Sequence, residues 1–182
     1  MRNLPHTPLH IVLVGPMGAG KSCVGRLLAS RLQTAFVDLD AQIEAEAGMS
    51  ITAIFESEGE IGFRQHERRA LAAALAKSEP TVIATGGGAV LDADNRAAMC
   101  MSARVVHVQI DPATQLQRLA GDTSRPLLVT QDPAQRLAEL QAAREPLYRE
   151  VADLVFDTSQ HSPEAAADAL ASLLAPTFER SA

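Results

Sequence analysis

The sequence predicts an α/β fold with a mostly parallel sheet. Three observations carry this. Short apolar runs recur along the chain, stretches with helix-spaced apolar positions separate them, and the first run opens into a glycine-rich turn followed at once by a helical pattern. LHIVLV (9–14) is the first expected strand, and KSCVGRLLASRL the helix after the glycine turn. AFVDLD (35–40) is the second strand, followed by AQIEAEAG, a helix that stops near Gly48. Ser50 suits an N-cap for ITAIFESEG, and EIGFRQHERRALAAALAK continues as a longer helix. TVIAT (81–85), ARVVHVQI (103–110) and ADLVFDT (152–158) are the remaining strands. Between the last two lie a short helix from Pro112, the polar loop GDTSRPLLVT, and a helix of about 15 residues starting near Pro133. SPEAAADALASLL (162–174) closes the chain as a helix, with Ser162 as cap and Pro163 in its first turn. No repeat, linker or low-complexity block interrupts the pattern, so residues 1–182 are expected to form one domain.

Composition narrows the function classes. Apolar residues make up 47% and charged residues 21%, which fits a packed core and not a disordered chain. A net charge of −6 argues against general nucleic-acid or membrane-surface binding, but says nothing against a small anion held by local arginines. Cys23 and Cys100 form no CxxC pattern, which points to a reducing compartment and a cytoplasmic protein. The five histidines (6, 10, 66, 107 and 161) show no metal-site spacing and read as structural or surface residues. The N-terminal MRNLPHTPLH lacks a long apolar stretch, and no run approaches ~18 apolar residues, so neither export nor a membrane span is expected.

GPMGAGKS (15–22) matches G-x-x-x-x-G-K-[ST], with an apolar strand before it and a helix after it. In such a loop Gly15, Gly18 and Gly20 let backbone N–H groups turn inward around phosphate oxygens at the positive end of the helix. Lys21 is expected to reach the β- and γ-phosphates, and the Ser22 hydroxyl to ligate Mg²⁺. The pattern implies a nucleoside triphosphate and leaves the acceptor open. The dinucleotide order G-x-G-x-x-G is absent.

Asp38 and Asp40 flank Leu39 at the end of a predicted strand, where alternation puts both carboxylates on one face roughly 7 Å apart. Strand C-termini line the ligand crevice of an open α/β sheet. One carboxylate then supports Mg²⁺ through water, while the other accepts from a substrate hydroxyl or serves as its base. The competing reading is that these aspartates cap the next helix. Arg64 and Glu67 lie at i, i+3, which suits either a surface ion pair or a guanidinium oriented to hold a carboxylate. Spacing alone leans to the surface pair. Arg125, in RLAGDTSRPLL (118–128), suits a loop closing over phosphates. Arg144 precedes Pro146, a proline expected to end or kink its helix. Each of these arginines, taken alone, also fits a solvated surface charge.

IATGGGAV (83–90) sets three glycines at a strand end, each giving up side-chain packing and losing the most backbone entropy on ordering. No Lys-Ser/Thr follows them, so they are not a second phosphate loop. They fit instead a floor for some other ligand, with Gly86, Gly87 and Gly88 allowing close approach to the backbone.

The P-loop, FVDLD, SITAIFESEGEIGFRQHE, TGGGAV, RPLL and REPLYRE, in this order over most of the chain, resemble the shikimate kinases. The resemblance implies a nucleoside-monophosphate-kinase-like α/β/α fold with a five-stranded parallel sheet in order 2-3-1-4-5. It also implies a mobile lid at about 118–130 and an acceptor-binding helical segment at about 40–68. The implied reaction moves the ATP γ-phosphoryl group to the 3-hydroxyl of shikimate, on the route to chorismate and the aromatic amino acids. By the same resemblance Arg64 and Arg144 clamp the carboxylate, and Asp40 binds ring hydroxyls and is the favoured base. Asp38 supports the Mg²⁺ shell, Glu67 buttresses Arg64, and Phe55 and Phe63 wall the substrate pocket. Gly18, Ala19, Gly20, Lys21, Ser22 and Cys23 surround the phosphates, Arg125 is the lid arginine, and Arg118 packs near the adenine. Where many relatives carry a further arginine after the last strand, this chain has DTSQHSP, so Gln160 or His161 is expected to stand in. ATP and shikimate are the expected partners, and a monomer the expected form. The alternatives are another small-metabolite kinase such as a gluconate kinase, a catalytically silent relative, or a nucleotide-regulated switch. The switch would normally carry an NKxD-type base-reading motif, which is missing.

Overall fold

A computed structural model describes residues 10–120 and 132–178. Its elements run β1 (His10–Val14), α1 (Lys21–Leu32), β2 (Ala35–Asp38), α2 (Leu39–Ala47), α3 (Ile51–Leu75), β3 (Thr81–Ala84), a 3₁₀ turn (Ala89–Leu91), α4 (Ala93–Ser102), β4 (Ala103–Gln109), α5 (Pro112–Leu119), α6 (Pro133–Val151), β5 (Leu154–Asp157) and α7 (Pro163–Phe178). The five strands pair in parallel in the order β2-β3-β1-β4-β5.

Period-2 alternation sorts the core into two layers. Val12 and Val14 face α2, α3, α4 and α6, together with Ile83, Ile54, Leu71, Met99 and Tyr148. Ile11 and Leu13 face α1 and α7, together with Val106, Leu28, Leu170 and Leu174. Both faces of β1 are therefore buried, as a central parallel strand requires. Leu13 pairs with Ala84, and the Leu13 carbonyl also accepts from the Thr85 backbone N–H (3.1 Å) and hydroxyl (3.0 Å). These two hydrogen bonds to one oxygen tie the loop after β3 to the strand that feeds the P-loop. Among the described residues, no helix is long and apolar enough to cross a membrane.

Several sequence expectations change in detail. The second strand stops at Asp38 and not at residue 40, because the Asp38 carboxylate accepts from the Asp40 and Ala41 N–H groups and starts α2. Ser50 caps α3 as expected, but the two helical stretches join across a break at Gly59, whose φ of 71° is open to glycine without strain. Helix α4, which the sequence reading left unassigned, opens on an Asp92 cap. Pro146 does not end α6, which runs 19 residues to Val151. The carbonyl that Pro146 leaves unpaired belongs to Ala142, and both residues face solvent.

Candidate active site

The turn between β1 and α1 puts the P-loop at the C-terminal edge of the central strand. Gly15 has φ 142° and lies so close to β4 that a β-carbon would run into the Val108 carbonyl. Helix α1 starts from Gly20 with no side-chain cap and no acid in its first turn. Its first N–H groups and its dipole are thus left to an anion. Lys21 is buried, and its Nζ donates to the Gly15 (2.7 Å) and Pro16 (2.8 Å) carbonyls. From α5, Gln115 Nε2 donates to the Met17 carbonyl at 2.9 Å and holds the loop from the other side. Ser22 and Cys23 are exposed on the first turn of α1.

The two aspartates part company at the β2–α2 junction. Since α2 begins at Leu39, alternation along a strand does not relate them, and the expected common face is lost. Asp38 is the α2 cap, while Asp40 in the first helical turn lines a cavity of about 370 Å³ beside the P-loop. Met17 of the loop contributes to that cavity, as do Phe55, Phe63, Arg64, Glu67, Gly86, Gly87, Gly88 and Arg144 from three separate regions. Phe55 and Phe63 meet with ring centroids 4.7 Å apart, one from each side of the Gly59 break.

Arg64 and Glu67 are not the surface pair that spacing alone favours. Glu67 is only 1% exposed, and its Oε2 accepts from Arg64 Nη1 at 2.6 Å. Glu60 takes Arg64 Nη2 at 3.0 Å, and the guanidinium lies over the Phe63 ring. Burial pushes the Glu67 carboxyl above its ordinary value, against the pull of Arg64 and with help from the negative field of Asp40. Burial also opposes the Arg64 charge, but Glu67 and Glu60 outweigh it and hold the guanidinium firmly protonated. The second Glu67 oxygen, Oε1, is buried without a hydrogen-bond partner and faces Gly86.

The glycine triplet is explained by space and not by backbone conformation, since none of its φ angles is positive. A β-carbon on Gly86 would meet Glu67 Oε1 at 2.8 Å and Asp40 Oδ1 at 3.0 Å. On Gly88 it would fall inside the Arg64 guanidinium, 2.7 Å from Cζ. On Gly87 it would make only ordinary contacts, 3.5 Å from Arg144 Nη1 and from the Gly15 carbonyl oxygen. Gly87 is therefore the point at which the floor touches both Arg144 and the P-loop. Arg144 is buried on α6.

On the far side of the P-loop, Arg118 at the end of α5 donates to the Thr158 carbonyl (2.9 Å) and hydroxyl (3.3 Å). Thr158 Oγ1 donates to the Ala19 carbonyl at 3.0 Å. Thr158 thus couples the residue after β5 to the phosphate loop, a role the sequence reading missed. Its signal was weak, a lone threonine between an aspartate and a serine. Gln160 and His161 are exposed in the following turn, with the His161 ring packed on Phe156. Arg125 and most of the expected lid lie outside the described residues.

The fit to a metal can be judged from the donors. Among the described residues no group of three or more His, Cys, Asp or Glu side chains could hold an ion. Ser22 and Asp38 are both hard oxygen donors. A hydroxyl and one carboxylate suit Mg²⁺, which keeps several waters and binds chiefly through the phosphates it accompanies.

Comparison with known proteins agrees with this geometry. A family model described as "Shikimate kinase" matches residues 17–175. A shikimate kinase of Stenotrophomonas maltophilia is 52% identical over 91% of this chain and 89% of its own length. One from Xanthomonas oryzae pv. oryzae is 49% identical over 94% of this chain and 95% of its own. The solved structure of the Acinetobacter baumannii shikimate kinase in complex with shikimate superposes with a TM-score of 0.89 at 42% identity, covering 94% of each chain. A gluconokinase from Sinorhizobium meliloti, at 21% identity and a TM-score of 0.57, shares the fold alone. A P-loop beside a cavity lined by two arginines and walled by glycines, with these matches over nearly the whole length, makes the chain a member of the shikimate kinase family.

Proposed function

We infer that this chain transfers the γ-phosphoryl group of ATP to the 3-hydroxyl of shikimate, giving shikimate 3-phosphate and ADP. The observation that carries the reading is the cavity itself. Two arginines, one aspartate and three glycines converge on a space that opens against the P-loop. A ring acid bearing hydroxyls needs that set: planar guanidinium forks for its carboxylate, a carboxylate for its hydroxyls, and flat backbone below the ring.

In this mechanism Arg64 and Arg144 bind the acceptor carboxylate, and Glu67 fixes the plane of Arg64. Asp40 accepts the hydrogen bond of the reacting hydroxyl and takes its proton as the oxygen attacks phosphorus. Gly87 donates its N–H to the acceptor, while Phe55 and Phe63 exclude water from the ring face. Lys21 leaves the Gly15 and Pro16 carbonyls for the β- and γ-phosphate oxygens, and Arg125 adds charge over the transferring group. Gly18, Ala19, Gly20, Ser22 and Cys23 cradle the phosphates, with Arg118 and Gln160 on the adenine side. Ser22 and Asp38 would hold Mg²⁺, which would supply neutralisation of phosphate charge. The chain acts as a single kinase domain and a monomer in the cytoplasm, with the 40–68 segment as acceptor wall and the 118–130 segment as lid.

A coupled assay for ADP, run across shikimate, gluconate and nucleoside monophosphates, tests the reading. Release of ADP from MgATP is expected only with shikimate. Turnover with gluconate or a nucleoside monophosphate, and none with shikimate, would overturn it.

A further inference from the structure

Tyr148 is the single tyrosine of the chain. It is 1% exposed, on α6 one helical turn beyond Arg144, and it does not line the acceptor cavity. Its hydroxyl donates to the Gly87 carbonyl at 2.5 Å, and the Arg144 guanidinium lies beside the phenol oxygen. Behind the phenol stands His107, fully buried, with ring centroids 4.9 Å apart. The other edge of His107 reaches the P-loop, with Cδ2 3.5 Å from the β-carbon position of Gly15. A phenylalanine would fill the same volume without a polar atom to desolvate, so the hydroxyl needs a reason to be there.

The peptide plane supplies one. The Gly87 carbonyl and the Gly88 N–H belong to one trans unit and point in opposite directions. Anchoring the carbonyl on α6 turns the Gly88 N–H away from α6, and Gly88 lines the cavity. No acceptor among the described residues takes that N–H. A hydrogen bond to the carbonyl also polarises the same peptide and strengthens its donor. A triglycine segment has no side chains of its own to hold such a plane.

We propose that Tyr148 is a positioning residue for the acceptor: its hydroxyl fixes the Gly87–Gly88 peptide and the Arg144 guanidinium, so that the Gly88 N–H and Arg144 face the bound acid. His107 keeps the phenol ring from turning. Burial pushes the phenol up to about 12, so it remains a donor at any working pH. The inference rests on the acceptor reading of the cavity.

The test is Tyr148→Phe in the full chain, assayed by steady-state kinetics with ATP and shikimate. The KM for shikimate should rise about five- to tenfold, the loss expected when a buried carbonyl is left without its donor. The KM for ATP should stay within about twofold, because the phosphate loop keeps its own contacts. A core residue of purely structural importance would move both constants together or neither, and either result overturns the proposal. If Tyr148→Phe does not fold, 3-fluorotyrosine incorporated at this one position decides instead. Its ¹⁹F resonance should shift when shikimate is added without nucleotide, and an unmoved resonance overturns the proposal. Wild-type protein run in parallel separates the two failures: no turnover with shikimate removes the proposed function, whereas normal turnover with an unaffected variant removes only the role of Tyr148.

Discussion

The guanidinium of Arg64 occupies the space that a β-carbon on Gly88 would fill. One of the two arginines of the acceptor cavity is thus seated on bare backbone, and the absence of a side chain at residue 88 is part of its binding site.

Gly88→Ala should therefore displace Arg64 and raise the shikimate KM at least tenfold, with ATP affinity within about twofold. Gly86→Ala should act similarly through Glu67 and Asp40. Gly87→Ala, whose added carbon meets only ordinary contacts, should be the mildest of the three while still weakening shikimate more than ATP. Calorimetric titration of each variant with shikimate and with a non-hydrolysable ATP analogue ranks them. An order with Gly87 worst would return the triplet to a purely backbone role.

Arg144→Ala should raise the shikimate KM by about ten- to a hundredfold, the range for losing a charge-assisted pair. Arg144→Lys should recover little of it, because an ammonium cannot reproduce the planar fork. Initial rates at saturating ATP measure both.

Glu67→Ala removes one partner of a buried ion pair and should cost roughly 3 kcal/mol of stability, near the low end of the usual range because Arg64 keeps Glu60. Chemical denaturation gives this figure. In Glu67→Gln the amide can still accept from Arg64, so stability should fall less while the shikimate KM still rises.

Low pH should destabilise the fold through two histidines. Burial holds both His107 and His10 below the ordinary value of 6.5, against the opposing field of Glu145 on His107 and the Leu75 carbonyl on His10. Arg149 and Lys21 add to the depression at His107, while at His10 a Lys77 backbone hydrogen bond opposes the depression and the Lys77 charge adds to it. The unfolded chain then binds protons first, so stability falls as pH drops below about 6.5. Glu67, raised above 4.5, works in the opposite direction, its stabilisation being complete below 4.5 and lost as pH rises through its folded value. Melting temperatures from pH 7.5 to 5.5 should decline in the wild type and decline less in His107→Gln. An equal slope in both would remove His107 as a source.

The parallel α/β architecture was legible because apolar runs and glycine turns are local signals, and the P-loop carries its own flanking context. The acceptor residues were legible only as a set. The i, i+3 spacing of Arg64 and Glu67 fits a solvated pair as well as a buried one, and only tertiary packing buries Glu67. The common strand face expected for Asp38 and Asp40 fails because a carboxylate at a strand end can cap the next helix as readily as continue the strand. Thr158 and Tyr148 escaped notice for a related reason. Their hydrogen bonds reach residues 139 and 61 positions away, and no pattern in the chain encodes such a partner.

The two hydrogen bonds from Thr85 to the Leu13 carbonyl have a consequence for inhibitor geometry. The phosphate loop leaves its strand two residues after Leu13, and the glycine floor begins one residue after Thr85. The span between them is set by sheet pairing, which opens only with the core. The aromatic wall of Phe55 and Phe63, set on either side of the Gly59 break, takes no part in that pairing. A molecule joining an anion on the P-loop to a ring on the glycines therefore needs one linker length.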